Sequence, residues 1–391
     1  MREYKISKPW AIFIYITTPL LIALFCWMLI MPFIPAMRGD VNSNAYWILV
    51  PISLGMIALM VMGLLDTIKG KFVIDKDQIY SEGVFSKREL MLHEIKGFRV
   101  TDKYIFIESN NKEKKKIKVS IYFGNKDEII EWLAEHYPNL DLVQANREHE
   151  EILKSKEFGS SAEERDLRLI KAHKTAKILN WTGGIIAVWT IFLAKPYELS
   201  IIASLVFPIV CLIIIKYYNG LIRVDERKGT AYPTILFAMM SGTGICVRAL
   251  LDYNIFDYSN VWMPSIIITV LYMAVLLLGN KEFKFNKAKD YMSIIAISFF
   301  MFAYGYGSVI SINCFYDKSQ PEIFNPTVLS KRISSGKHTS YYLEVTPWGP
   351  QKEIDEVSVS RDLYSRLEPN DQLNIYFTKG KFDIPWFEVT E

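Results

Sequence analysis

"WAIFIYITTPLLIALFCWMLIM", residues 10 to 31, contains no charged residue, and its reading decides how the rest of the chain is placed. A helix needs about 20 apolar residues to cross a hydrocarbon core of roughly 30 Å. This run meets that length. Arg2, Lys5 and Lys8 precede it, as they would a secretory signal, but the apolar stretch exceeds the roughly 7–15 residues of a signal core and no small-x-small cleavage site follows. It is expected to be an anchor.

Working outward, six further apolar runs follow: 46–65, 178–194, 199–215, 232–251, 261–279 and 291–314. The expectation is therefore an α-helical membrane bundle of about seven spans, with two small β-rich domains. Spans three and four are joined only by "KPYE" and should form a tight hairpin. Lysine and arginine are retained on the cytoplasmic side. Lys216, Arg223, Arg227 and Lys228 follow the fourth span, and Lys281, Lys284, Lys287 and Lys289 follow the sixth. The other loops are poor in them: "DYNIFDYSN" (252–260) has none, the first loop has only Arg38 and the hairpin turn only Lys195. One orientation satisfies every loop, with the N-terminus and residues 66–177 cytoplasmic and the tail, 315–391, outside. Cys26, Cys211, Cys246 and Cys314 all lie in or at the end of spans, so neither a disulfide framework nor a thiolate zinc site is expected.

Between spans two and three, short β-rich runs alternate with turn residues: "KFVI", "QIYSEG", "KRELML", "KGFRV", "YIFIES" and "KIKVSIY". "NKDEIIEWLAEHY" then reads as an amphipathic helix with Asn125 as its cap. This order, with the opening pattern of Phe72, Ile74, Ile79 and Gly83, resembles the bacterial pleckstrin-homology-like (PH-like) domain over residues 68–140. The resemblance implies a bacterial inner-membrane protein with a binding or assembly module, and it brings no catalytic residues. Residues 141–177 read as a helical connector, with Ser161 and Glu164 forming a capping box.

The tail, 315–391, shows five alternating strands with "RDLYSRLEPND" as a short helix between the third and fourth. That is the element order of a small OB-like barrel. It also resembles a C-terminal module of uncharacterised bacterial membrane proteins, a resemblance that implies no activity. Trp348 and Trp386 could stack on a ligand; core and interface aromatics is the plainer reading.

Two groups are candidate sites. Lys112, Lys114, Lys115, Lys116 and Lys118 form a basic hairpin that could contact anionic lipid; a solvated edge is the plainer reading. Within the membrane, Arg248 is an ionisable residue with Asp252 four positions on, and Ser241, Gly242 and Gly244 in "SGTG" offer an interrupted helix of the kind that lines transporter sites. For Arg248 the plainer reading is an anchor that snorkels outward and pairs with Asp252, and for the small residues it is close helix packing. "AYGYGS" (303–308) contains the Gly-Tyr-Gly of a potassium filter, but Ala303 and Tyr304 replace its Thr-Val and the run must itself cross the membrane. No catalytic residue, metal site or cofactor is expected. A net charge of +3 and no recognition motif argue against nucleic acid. The expected function is a non-enzymatic binding or scaffold protein contacting membrane lipids or protein partners on both faces. A small-solute transporter is the alternative and a membrane enzyme the third reading. No oligomeric state follows from the residues.

Overall fold

The computed structural model describes residues 1–34, 43–111, 113–225, 228–335 and 339–390. Arg38, Lys112, Arg227 and His338 lie outside the described residues. The chain forms two compact units, Met1–Lys154 with Arg227–Ala231, and Ser155–Glu226 with Tyr232–Glu391.

The first unit contains two long apolar helices, α1 (Lys8–Ile30) and α2 (Ser43–Lys69). Residues before α1 form a strand that the sequence does not advertise. This β1 (Arg2–Lys5) pairs antiparallel with β2 (Lys71–Ile74), Tyr4 opposite Phe72. With β3 (Gln78–Glu82) and β4 (Lys87–Met91) it makes a four-stranded sheet in the order β1-β2-β3-β4. A second sheet holds β5 (Ile95–Val100), β6 (Tyr104–Ser109) and β7 (Ile117–Ser120). All six strands expected from alternation are present.

The alternation also sets the core. Ile105 and Ile107 point inward from β6, as Ile117 and Val119 do from β7, to meet Phe72, Ile79, Leu90 and Phe98. Helix α3 (Lys126–His136) closes the core with Ile129 and Leu133. Each such buried side chain contributes about 1.5–3 kcal/mol. Asn125 precedes α3 in a left-handed conformation and its side chain makes no capping bond to the backbone, so the expected cap is positional only. Pro138 disfavours helix at Tyr137 and marks the end of α3.

The expected connector is divided. Helix α4 (Leu140–Lys154) belongs to the first unit because Asp141 pairs with Arg99 of β5 at 2.5 Å, and Phe98 donates its backbone N–H to Pro138. The other half runs without a break into the third apolar segment as α5 (Ala162–Val188). Ser161 caps α5 by accepting from the Glu164 N–H, but the Glu164 carboxylate returns to Ser160 rather than to Ser161.

In the second unit α5 ends in a π-helical turn, Trp189–Leu193, followed by α6 (Tyr197–Tyr217). The fifth apolar run is broken into α7 (Leu236–Met239), a 3₁₀ turn at Met240–Gly242, and α8 (Thr243–Asp252). Then come α9 (Trp262–Leu277) and α10 (Ala288–Phe315). Among the described residues five helical segments are long and apolar enough to cross a membrane, namely Lys8–Phe33, Tyr46–Lys69, Ala162–Leu193, Tyr197–Tyr217 and Ala288–Phe315. The sequence count of seven included the broken α7–α8 segment and α9, which is apolar but has only 16 residues.

The tail forms β9 (Glu322–Phe324), β10 (Val328–Ser335), β11 (Thr339–Val345), β12 (Asp355–Val359), α11 (Arg361–Arg366), β13 (Asn374–Thr378) and β14 (Trp386–Thr390). One sheet has the order β10-β11-β12. The other has the order β8-β14-β13-β9, where β8 is Asn254–Ile255 from the loop between α8 and α9. Val328, Leu343, Val345, Val357, Leu363 and Ile375 fill the core. Trp348 is buried with them against Phe324, Phe377 and Phe387, as a core aromatic.

Candidate functional site

The lysine hairpin is more engaged than its composition suggests. Because Ile105 and Ile107 face the core, Tyr104 and Phe106 of β6 lie on the outer face, where Lys118 of β7 and Lys116 just before it cover them. The Lys118 ammonium sits 3.6 Å from the Tyr104 ring centroid, and that of Lys116 4.4 Å from Phe106. Such contacts are worth about 0.5–1 kcal/mol at exposed sites. Lys114 donates to both carboxylate oxygens of Glu94 at 2.8 Å, and that bond holds the Glu94 carboxyl below its ordinary range. Lys115 is exposed.

Beside the hairpin a polar groove of about 340 Å³ opens between the two sheets, lined by Ser81, Arg88, Tyr104, Lys118 and Ser120 and by Asp66 from the last turns of α2. Arg88 donates to the Lys116 carbonyl at 3.0 Å. Asp66 is a residue the sequence reading missed. Its Oδ1 accepts from the Val84 N–H at 3.1 Å, which ties the β3–β4 turn to α2. The available signal was its place as the first charge after the uncharged run 46–65.

The second group is brought together, but as packing. Arg248 bonds Asp252 at 3.2 Å, as the i, i+4 spacing suggests. Its other donors turn to the π-helical turn: Nε donates to the Thr190 carbonyl at 2.6 Å and a terminal nitrogen donates to that of Ile191. A π-turn leaves carbonyls short of regular partners, and the guanidinium fork supplies them. Asp252 also accepts from the Tyr197 hydroxyl at 2.9 Å. Thr190 and Ser204 share a hydroxyl bond at 2.7 Å. Replacing Arg248 by Ala is therefore expected to cost roughly 2–4 kcal/mol, read as a lower thermal midpoint in mild detergent, with Lys restoring only part of it because it cannot fork.

The "SGTG" segment is interrupted as expected, by the 3₁₀ turn, yet its glycines are close-approach positions. A Cβ on Gly242 would lie 2.8 Å from the Tyr304 ring, and one on Gly244 3.2 Å from Thr190 Cβ. The Ser241 hydroxyl is buried with no hydrogen-bond partner. In the Gly-Tyr-Gly stretch, Tyr304 donates to the Leu205 carbonyl at 2.6 Å, whereas Tyr306 stacks on Trp262. Among the described residues no cluster of histidine, cysteine or carboxylate side chains could hold a metal ion.

Sequence reasoning also missed a clamp at the end of α10. The Asn313 side chain, fully buried, donates to the Ile384 carbonyl at 2.9 Å and accepts from the Phe382 N–H at 2.8 Å. One turn on, Asp317 accepts from Gly380 N–H and from the Trp386 indole, each at 3.1 Å. Trp386 is thus the interface aromatic that the sequence suggested. No protein-family model, curated protein or solved structure matches the chain.

Proposed function

We propose that this is a non-enzymatic scaffold of the bacterial inner membrane, carrying a PH-like β-domain on the cytoplasmic face and an OB-like β-domain outside. The observation that carries the reading is that each β-domain takes a strand from a segment flanking the apolar helices. β1 comes from the residues before α1, and β8 from the loop between α8 and α9. Domains built in this way are held by backbone ladders and are not on flexible tethers, which suits presentation of fixed surfaces to partners.

The same bonds support a reading with seven crossings. β1 and β2 share a sheet, which supports α1 and α2 crossing as a pair. The lysine- and arginine-rich loop after α6 and the short turn before it support α5 and α6 crossing as a pair. Tyr197, at the start of α6, meets Asp252, at the end of α8, so α7–α8 crosses once. β8 and β14 share a sheet, so α9 and α10 cross as a pair despite the shortness of α9. The lysine-rich loops favour the first side as cytoplasmic.

Support for the PH-like reading lies in the four-plus-three strand arrangement closed by α3. For the OB-like reading it lies in the first strand, divided between two sheets as β9 and β10, and in α11 between β12 and β13. On the cytoplasmic face the basic hairpin would meet anionic lipid. Glu94 competes for Lys114, so Glu94→Gln is expected to raise anionic-lipid retention several-fold in native mass spectrometry.

The test is co-purification from membranes in mild detergent, with protein and lipid identified by mass spectrometry. A stoichiometric partner or an enriched anionic lipid supports the scaffold; a monomer with neither rejects it. The second reading, a small-solute transporter, rests on the helix break beside the unpartnered Ser241 hydroxyl. Flux that survived Arg248→Ala and bulky replacement of Gly242 and Gly244 would exclude that site.

A further inference from the structure

The tip of the β3–β4 turn is built into the foot of a membrane helix and carries an aromatic side chain that nothing in its own unit covers. Phe85 is 72% exposed. Its neighbour Val84 donates to Asp66 at 3.1 Å, and Asp66 is the first charged residue after the apolar stretch of α2. Gly83 permits this approach, because a Cβ there would lie 2.6 Å from the Asp66 carboxylate oxygen. The turn is closed by Gly83 N–H donating to the Ser86 carbonyl at 2.9 Å. Phe85 is therefore held at the level where the hydrocarbon part of α2 ends.

Two other features mark the same level. At the foot of α1, Trp10 packs on Tyr122 with ring centroids 4.4 Å apart, both of them partly exposed, as aromatics at a membrane–water boundary are. Lys69, Lys87 and Arg88 lie next to α2's end or to the turn. Neither Lys69 nor Arg88 has a carboxylate within ion-pair distance among the described residues, while Lys87 pairs with Glu89 at 3.0 Å. An apolar tip flanked by cations at headgroup depth is the composition of an interfacial anchor.

We propose that Phe85 inserts into the interfacial layer of the bilayer that α2 crosses, giving the first β-domain a third attachment to the membrane beside α1 and α2. The proposal rests on the reading of α2 as a membrane span. Insertion would fix the rotation of the β-domain about the helix pair, so that the groove at Arg88 and Lys118 faces the headgroups.

The test is spin-label accessibility in the full chain reconstituted in phosphatidylcholine–phosphatidylglycerol nanodiscs. Cys26 and Cys246 are replaced by Ala, and the buried Cys211 and Cys314 are kept. Nitroxides are placed at Phe85→Cys, at Leu59→Cys in mid-α2 and at Asn110→Cys on the β6–β7 hairpin. The expected result is an oxygen-to-nickel accessibility ratio at 85 several-fold above that at 110 and nearer to that at 59. A water-like ratio at 85 with a lipid-like ratio at 59 would overturn the insertion while leaving the span intact. Low access to both reagents at 85 would mean that protein covers it, which also overturns the proposal. A water-like ratio at 59 would overturn the span itself. If the cysteine background does not fold, Phe85→Trp in the native background gives the same decision, through added emission that brominated lipid quenches or does not quench.

Discussion

Replacing Gly307 by Val is expected to separate α8 from α10 and to abolish recovery of monodisperse protein. A Cβ at Gly307 would lie 2.5 Å from the Cys246 backbone nitrogen and 2.6 Å from the Ile245 carbonyl carbon. These are main-chain atoms within a helix and cannot rotate away. Two positions earlier, a Cβ on Gly305 would lie 2.7 Å from the Ser265 carbonyl oxygen of α9. The two glycines together let α10 approach both neighbours at backbone distance. Without a hydrophobic driving force between helices in lipid, such close packing supplies much of the association energy. Overpacking ordinarily costs about 1–3 kcal/mol, and a clash with backbone belongs at or above the top of that range. Gly184→Val is the control, since nothing lies within 4 Å of a Cβ there. Thermal midpoints and size-exclusion profiles in mild detergent should collapse for Gly307→Val and hold for Gly184→Val.

Asn313→Leu is expected to undock the C-terminal β-domain from α10 while leaving both folded. Leucine matches the volume but leaves the Ile384 carbonyl and the Phe382 N–H without their buried partners. Two such groups cost roughly 2–5 kcal/mol. The expected reading is faster proteolysis after residue 315, with no change in protection of the first unit.

The same clamp should weaken in acid. Burial alone would raise the Asp317 carboxyl, but bonds from Ser319, Trp386 and Gly380 hold it below its ordinary range. A depressed carboxyl stabilises the docked state above its unfolded value, and that contribution is lost as pH falls through the folded value. Proteolytic release of the tail should therefore rise below the usual carboxylate range, and Asp317→Asn should reduce the pH dependence.

Elements that carry their own periodicity were legible from the residues alone. The strands β2 to β7 are short β-rich runs bounded by turn residues, with inward and outward side chains alternating in β6 and β7, and α3 shows its buried Ile129 and Leu133 at helical spacing. What could not be read is held by distant partners. β1 is four residues, three of them charged, with only Tyr4 buried, and becomes a strand because β2 offers it an edge. β8 is two residues long and exists through β14. The site shows the same division. Arg248 with Asp252 is a one-turn helical pair and visible in sequence, whereas the carbonyls of Thr190 and Ile191 come from 57–58 residues away. The Gly-Tyr-Gly tripeptide reads as packing only because "YGYGS" lies within one uninterrupted apolar run.

The proposed scaffold requires its two β-domains to lie on opposite faces of one membrane. Asn110→Cys, on the β6–β7 hairpin, and Glu353→Cys, in the C-terminal domain, are both at exposed positions and can be treated with a membrane-impermeant maleimide in intact spheroplasts. Glu353→Cys is expected to label at once and Asn110→Cys only after the membrane is opened. Labelling of both sites, or of neither, before permeabilisation would place the domains on one side and contradict the seven-span scaffold.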